Sequence, residues 1–320
     1  MIRWGIIGAG RIAKRFAASL AHEAGAVLLA ISGRNPEKME AFAQTFPCGR
    51  IYLSHDELIA DPEIDALYVA LPNAFHREYV CKALRAGKTV LCEKPAAVDA
   101  AQMAEMTACA RECGVLFMEA MKVRFTPCYR RVREMVRGGA LGEIRRIVIR
   151  HGVIVSEGDG PRHDPASGGV IRDLGIYAVS WPADLLDGEL RVVRAHTELV
   201  RGCDMYAEAD FLAESGAEVS ITVAYDRKIP SEVRIEGSEG VLEIRNMHRP
   251  DAMTLTRPGG EREACGIPYE IDDFYGEVHH FCELLRAGKT QSEIMSLADS
   301  ERTAGLMDAM REPGPEDGRI

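Results

Sequence analysis

The sequence predicts an α/β protein in two parts: a parallel sheet wrapped by helices, then an α+β region built on a large open, mostly antiparallel sheet. Three observations predict it. Through roughly the first 120 residues, short β-branched runs alternate with amphipathic segments, the sequence form of strand, helix and strand in turn. After about Arg124 the rhythm changes to long stretches in which apolar and polar residues alternate, as in strands with one solvated face. A chain of 320 residues, 47% hydrophobic, is also long enough to bury two cores. The expected division is residues 1–122, residues 123–310 and a flexible tail at 311–320.

In the first part, strands are expected at Arg3 to Gly8, Val27 to Ser32, Ile51 to Leu53, Ala66 to Leu71, Thr89 to Glu93 and Leu116 to Glu119, with helices between them. Ser54-His55-Asp56-Glu57 carries the serine and glutamate of a capping box, so a helix starts there and runs to about Ala60. Gly87 and Gly114 each follow a helical pattern and precede a strand, where a left-handed C-cap belongs. In the second part a helix over Tyr129 to Arg137 comes first. Alternating segments follow at Glu143 to Val155, Arg191 to Val200, Tyr206 to Ala213, Glu218 to Tyr225 and Glu232 to Arg245, the last broken by a turn at Gly237-Ser238-Glu239-Gly240. Helical patterns near Tyr275 to Arg286 and Ile294 to Met310 close the folded chain. The tail "REPGPEDGRI" has nothing to bury and reads as frayed.

Composition removes several classes of function. The formal net charge is -10 and no lysine or arginine run resembles a nucleic-acid footprint, so no nucleic-acid partner is expected. No apolar stretch approaches the ~20 residues that span a bilayer, and the start "MIRWGIIGAG" lacks a signal peptide's basic head and cleavage site, which makes the cytoplasm the default location and a membrane partner unexpected. Nine cysteines, an odd number without a Cys-x-x-Cys pair, read as reduced core residues. Cys109 and Cys113 share a helix face, but no histidine or third cysteine stands beside them, and no metal site is expected.

The stretch "WGIIGAGRIAKRF" supplies Gly8-x-Gly10-x-x-Ala13 after an expected strand and at the start of a helix. The first glycine permits a tight turn, the second lets the backbone approach a pyrophosphate, and the small third residue lets helix and strand pack closely. The helix N-terminus offers its free amides to the phosphates. This is the dinucleotide-binding pattern of a Rossmann domain. NAD binders usually place an acid about 20 residues further on, for the ribose 2′-hydroxyl. Here "LLAISGRNPEK" has no acid before Glu37; Ser32 and Arg34 stand at the strand end instead, a hydroxyl and a planar cation suited to a 2′-phosphate. NADP is therefore favoured over NAD, which stays possible because an exposed loop arginine is a common structural alternative.

Four blocks carry a family resemblance: the glycine pattern, "LPNAFHREYVCKALRAGKTVLCEKP" from Leu71 to Pro95, "FMEAMKVRFTP" from Phe117 to Pro127, and "GGVIRDLGIYAV" from Gly168 to Val179. Together they resemble the glucose-fructose oxidoreductase, inositol dehydrogenase and MocA family over nearly the whole chain, and within it the branch of dihydrodiol dehydrogenase. The resemblance implies that Lys94, just beyond the fifth strand, contacts the cofactor ribose and the reacting substrate oxygen. Physical reasoning supports the position, since open parallel sheets bind ligands beyond the carboxyl ends of their strands. A cation there stabilises an alkoxide or polarises a carbonyl, the structural alternative being a solvated lysine after a strand. Relatives often have a cis bond before the proline that follows, here Pro95.

The resemblance also implies a second group, Asp173 and Tyr177, four residues apart and so on one side of a helix if one begins there. Many sugar dehydrogenases of the family have histidine at the place of Tyr177. Tyrosine serves as proton donor and acceptor when a neighbouring cation such as Lys94 lowers its pKa from the ordinary value of about 10. The structural alternatives are a capped half-buried aromatic for Tyr177 and a helix N-cap for Asp173. Cofactor contacts are implied at Gly8, Gly10, Arg11, Ile12, Ser32, Arg34, Leu71, Asn73, His76, Glu93, Lys94 and Arg124. His76 could equally be a helix-start histidine, and Arg124 could only pair with a carboxylate. Arg162 and His163, in the loop "EGDGPRHDPASGG", are candidate substrate contacts. Arg172 departs from the apolar or small residue usual in relatives, and the loop matches no substrate class.

The expectation is a two-domain NADP-dependent oxidoreductase. It would act on a secondary alcohol or ketone of a sugar, sugar derivative or cyclic diol, as a homodimer or homotetramer. Its rivals are an NAD-dependent glycosidase that works through transient oxidation, and a non-catalytic nucleotide-sensing regulator on the same scaffold.

Overall fold

The computed structural model describes residues 1–156 and 160–311. Apart from Arg311, the expected tail lies outside them. The chain divides into two compact units, Met1–Phe125 with Glu270–Glu301, and Thr126–Tyr269 with the rest of the C-terminus. The expected continuous second domain, 123–310, is thus interrupted: Glu270–Glu301 groups with the first unit.

Among the described residues the first unit contains one sheet of strands β1 (Ile2–Ile7), β2 (Ala26–Ser32), β3 (Arg50–Tyr52), β4 (Ala66–Val69), β5 (Thr89–Glu93) and β6 (Phe117–Ala120). All neighbours are parallel, in the order β3-β2-β1-β4-β5-β6. The order reverses between β1 and β4, so a ligand crevice opens past the carboxyl ends of those two strands. Helices α1 (Arg11–Leu20), α2 (Pro36–Thr45), α3 (His55–Ala60), α4 (His76–Arg85) and α5 (Ala100–Cys113) make the crossovers. Caps lie where local chemistry demands: Asn35 accepts from the Lys38 amide, Asp99 from the Gln102 amide, and Gly114 closes α5 in the left-handed conformation. Ser54 is the N-cap of α3 as expected, but its side chain makes no capping hydrogen bond.

Helix α8 (Tyr275–Arg286) joins this unit through an aromatic core. Trp4 of β1 meets Phe16 of α1 at 5.1 Å and Phe281 of α8 at 5.2 Å, and Phe16 stacks on Tyr68 of β4 at 3.8 Å. All four side chains are fully buried, each contributing about 1.5–3 kcal/mol of apolar burial. Arg286 adds bonds to Glu23 (2.9 Å) and to the Ala24 carbonyl (2.5 Å). This long-range packing, invisible to periodicity, is why the segment leaves its sequence neighbours.

The second unit holds α6 (Pro127–Arg137), α7 (Ile176–Leu185) and strands β7 (Ile144–Gly152), β8 (Leu190–Val200), β9 (Cys203–Ala213), β10 (Glu218–Ala224), β11 (Ile229–Gly237), β12 (Gly240–Arg245), β13 (Ala252–Thr256) and β14 (Arg262–Gly266). The sheet order is β14-β13-β12-β11-β7-β10-β9-β8, antiparallel except for β7 with β10. A last helix, α9 (Leu297–Ala309), ends the described chain. Alternation sets the two faces. Ala207, Ala209 and Phe211 of β9 and Val219, Ile221 and Val223 of β10 are buried, while Glu208, Asp210, Ser220 and Thr222 line the open face with Arg146, Arg150 and Arg194. On the buried side Trp181 of α7 donates to the Met247 carbonyl (2.9 Å) and packs on Tyr129 of α6 at 4.5 Å.

Strands β13 and β14 were not expected. The first is short, and the second is exposed at every residue, so no apolar period marks it.

Candidate active site

The turn between β1 and α1 is shaped by its glycines. Gly8 has φ +101°, and a Cβ there would lie 2.6 Å from the Ala70 carbonyl oxygen, just past β4. Gly10, the N-cap of α1, has no heavy atom within 4 Å of its would-be Cβ, and Ala13 is fully buried against the sheet. No side chain caps α1, so the first-turn amides, Arg11 and Ile12 among them, face the crevice without a side-chain acceptor. At the end of β2, Ser32 is fully buried and its hydroxyl lies 2.8 Å from His55 Nδ1. Arg34 is exposed and has no hydrogen bond or ion pair among the described residues. A turn closed to a Cβ at Gly8 and open at Gly10, free amides, and a hydroxyl and a guanidinium at the end of β2 suit a dinucleotide bearing a 2′-phosphate.

Lys94 stands one residue beyond β5, half-buried, in a turn held on every side. Before it, the Glu93 carboxylate accepts from the Tyr68 hydroxyl. After it, the Lys94–Pro95 bond is cis, and His76 Nδ1 lies 3.0 Å from the Pro95 carbonyl oxygen while Nε2 lies 2.8 Å from that of Leu71. Next, the Ala96 amide donates to Glu119 of β6 at 2.8 Å. Burial pushes the Glu93 carboxyl above its usual range, opposed by the Tyr68 bond and by Lys94 and Lys122. Burial likewise pushes Glu119 up to about 7, opposed by the Ala96 amide, the Ser300 hydroxyl, Arg124 and Lys94. His76 is held below its ordinary value by burial, against the carbonyls that face it.

This geometry redistributes the implied cofactor residues of the first unit. Gly8, Gly10, Arg11, Ile12, Ser32, Arg34, Leu71, Asn73 and Lys94 lie at the carboxyl end of the sheet, at the ends of β1, β2, β4 and β5. His76, expected as a cofactor contact, is fully buried and ties the turn after β4 to the turn after β5, as its alternative role as a structural histidine implied. Glu93 faces Tyr68 beneath the turn. Arg124 is fully buried, pairs with Asp299 at 3.0 Å and donates to the Ile294 carbonyl at 3.1 Å, the carboxylate pairing that was its alternative role.

In the second unit, Asp173 lies in a π-helical turn, Ile171–Gly175, that runs directly into α7, where Tyr177 occupies the first turn. The two residues are thus on one continuous helical stretch, and Asp173 is not its N-cap. Its carboxylate accepts from Arg162 Nε at 3.1 Å and from the Tyr225 hydroxyl. Burial, with the Asp173 carboxylate beside it, raises the Tyr225 phenol far above its usual range. Arg162, expected at the substrate, is here an ion-pair partner of Asp173, and His163 Nε2 lies 3.0 Å from the Ser156 carbonyl oxygen, holding its own loop. Tyr177 is buried, with the His248 ring at 5.6 Å and His151 stacked beyond it at 5.3 Å. Burial lowers the pKa of His151, against the nearby Asp173 carboxylate. Sequence reasoning missed His151, His248 and Tyr225, which come from three separated segments of chain; only the placement of Tyr225 at the end of an alternating strand hinted at a rim position.

Comparison with known proteins identifies the family. Residues 2–121 match the Gfo/Idh/MocA oxidoreductase family with its NAD-binding Rossmann fold, and residues 129–243 match that family's C-terminal domain. The chain is 31% identical to a trans-1,2-dihydrobenzene-1,2-diol dehydrogenase of Xenopus tropicalis, covering 96% of each. It is 29% identical to the NADP(+) scyllo-inositol 2-dehydrogenase of Bacillus subtilis, covering 97% of this chain and 96% of the other. Among solved structures it is similar to a 3-ketoreductase from Actinomadura kijaniata in complex with NADP and TDP-benzene, with a TM-score of 0.88, 28% identity and 97% of each chain covered. Solved forms of that ketoreductase include a lysine-to-alanine and a tyrosine-to-phenylalanine variant. Two matched domains in order, and a relative aligned almost end to end, establish that the chain belongs to the Gfo/Idh/MocA oxidoreductase family.

Proposed function

We propose that this protein is an NADP-dependent oxidoreductase acting on a secondary alcohol, or the corresponding ketone, of a sugar, sugar derivative or cyclic diol. The observation that carries the reading is Lys94, a cation at the carboxyl end of β5 in a turn fixed through Glu93, Pro95 and Ala96. Similarity to diol and inositol dehydrogenases and to an NADP-bound ketoreductase supports the substrate class and the cofactor. NADP, when bound, supplies or accepts the hydride.

The chain's own residues then have separable tasks. Gly8, Gly10 and the first amides of α1 hold the pyrophosphate, and Ser32 with Arg34 holds the 2′-phosphate. Lys94 stabilises the substrate oxygen as it gains negative charge, or polarises it as a carbonyl in the reverse direction. Tyr177 accepts or returns the hydroxyl proton, and Asp173, held by Arg162 and Tyr225, orients the groups around it. The open face of the second unit's sheet, with its arginine and carboxylate pairs, supports assembly into a homodimer or homotetramer.

The test is a titration with NADPH and with NADH, following quenching of the Trp4 and Trp181 fluorescence, then a screen of sugar ketones and diols for oxidation or reduction of the cofactor. Binding with net turnover of free nucleotide is expected. Tight, non-exchanging nucleotide without net turnover would point to the glycosidase reading, and binding without any chemistry to a regulator.

A further inference from the structure

The parallel register of β2 and β3 sets Ser32 level with Tyr52, so the end of β2 lies beside the start of α3 and its first residue, His55. Ser32 and His55 are 23 residues apart in sequence, yet the hydroxyl lies 2.8 Å from the Nδ1 atom. The imidazole is half-buried and packs edge-on against Tyr79 of α4 at 4.9 Å. Its Nε2 has no hydrogen-bond partner among the described residues, and neither has the Arg34 guanidinium.

The charged groups acting on the ring are Arg34 from the loop after β2, Lys82 from α4 and Asp56 from its own helix. Strand β3 directs its own polar groups elsewhere, Arg50 and Tyr52 both bonding Asp61. Lys82 is already neutralised by Asp56 at 3.0 Å and Glu78 at 2.9 Å. What remains at the end of β2 is one uncompensated guanidinium, one ring nitrogen and a hydroxyl, with no carboxylate paired to the arginine. Such a set is complementary to a dianion and has none among the described residues.

We propose that His55 is the third member of the site for the dinucleotide's 2′-phosphate, and that its ring takes up a proton from water when that phosphate binds. The inference rests on the NADP reading above. In the free protein, burial and the Arg34 charge hold the imidazole below its ordinary pKa, so it is neutral near pH 7. A phosphate dianion beside Arg34 reverses the sign of the local field and favours the imidazolium. Ser32 can follow the change without moving, because a hydroxyl donates to a bare Nδ1 and accepts from a protonated one. The consequence is a linkage: NADPH binding consumes a proton and weakens as pH rises, whereas NADH, lacking the phosphate, does neither.

Calorimetric titration of the full chain with NADPH and NADH at pH 7, in two buffers of different ionisation enthalpy, measures the proton uptake directly. The variant His55→Asn keeps a hydrogen-bonding partner for Ser32 but cannot titrate. The expected result is uptake of roughly half to one proton with NADPH and none with NADH. In His55→Asn the uptake should vanish and the NADPH Kd rise roughly tenfold, with NADH unchanged, which also shows the variant is folded. The phosphate's own small titration occurs in both proteins and cancels in their difference. NADPH preferred over NADH with the same proton uptake in His55→Asn overturns the role of His55 alone. Equal binding of the two nucleotides, or binding of neither, overturns the cofactor reading and this proposal with it.

Discussion

Two turns at the carboxyl end of the same parallel sheet each present a cation, and they do so in opposite ways. Arg34, after β2, is exposed and has no hydrogen bond or ion pair among the described residues. Lys94, after β5, sits between Glu93, held by Tyr68, and Pro95 and Ala96, held by His76 and Glu119. The braces are themselves buried: His76 is fully buried, and Glu119 is 1% exposed. Under these, Glu277 of α8 is a carboxylic acid whose pKa burial raises far above its usual range, next to Glu93, Lys122 and Asp273. Binding a dianion needs charge within reach, which a mobile side chain supplies, whereas stabilising one developing oxyanion needs a donor fixed to a fraction of an ångström. The difference teaches that buried, high-pKa carboxyls in this unit serve position at β5, and that no such investment is made at β2.

The sharpest way to break the comparison is at Lys94 itself. Lys94→Ala should lower kcat about a thousandfold on any substrate the protein turns over, roughly 4 kcal/mol of barrier, while the NADPH Kd changes little. A large loss of nucleotide binding instead would make Lys94 an affinity residue like Arg34.

Glu119 tests the brace through pH. Its carboxyl is raised in the fold to about 7, so its stabilising contribution is fully present below the unfolded pKa near 4.5 and is lost as pH rises through about 7. The unfolding free energy from denaturant titration should therefore fall between pH 5 and pH 8 by on the order of 2–3 kcal/mol more in the wild type than in Glu119→Gln. Identical pH slopes in the two proteins would show that Glu119 ionises freely and does not hold Ala96 as an acid.

His76→Leu removes the imidazole that faces the carbonyls of Leu71 and Pro95, strands the one that accepts its single N–H, and should cost about 1–3 kcal/mol of stability, with a larger fall in kcat than in nucleotide affinity. The smallest effect belongs to the unbraced turn. Arg34→Ala should weaken NADPH roughly tenfold, leave NADH binding alone and change stability by no more than about 0.5 kcal/mol. If it also unfolds the protein or weakens NADH equally, the contrast between the turns fails.

Much of this was legible along the chain. The six parallel strands lie within two residues of their expected limits, because short β-branched and apolar runs alternate with helical segments there. Gly8 is where the glycine pattern required it, at φ +101°. The alternation from Glu143 to Arg245 marks a mostly antiparallel sheet with one buried face, as found. Residues whose partners are distant were not legible. Arg124 and His76 match family positions as well as any cofactor ligand does, yet their side chains are used up inside the protein, on Asp299 and on two backbone carbonyls. His55 looked like part of a capping box, and only the β2–β3 register brings it to Ser32. Strand β14 has no buried face and so leaves no pattern to read.

Local chemistry by itself determined the strand–helix alternation, the glycine turn, the placing of Lys94 one residue past a strand and the spacing of Asp173 from Tyr177. These follow from rules that act over a few residues: steric freedom at glycine, apolar period and capping. Tertiary structure alone decided that Glu270–Glu301 packs with the first unit, that Glu93 and Glu119 are buried, and that Arg34 has no ion-pair partner among the described residues. The physical reason is that burial and pairing are set by what folds against a residue from elsewhere in the chain, and a carboxylate's charge or a guanidinium's availability depends on that environment rather than on its neighbours in sequence.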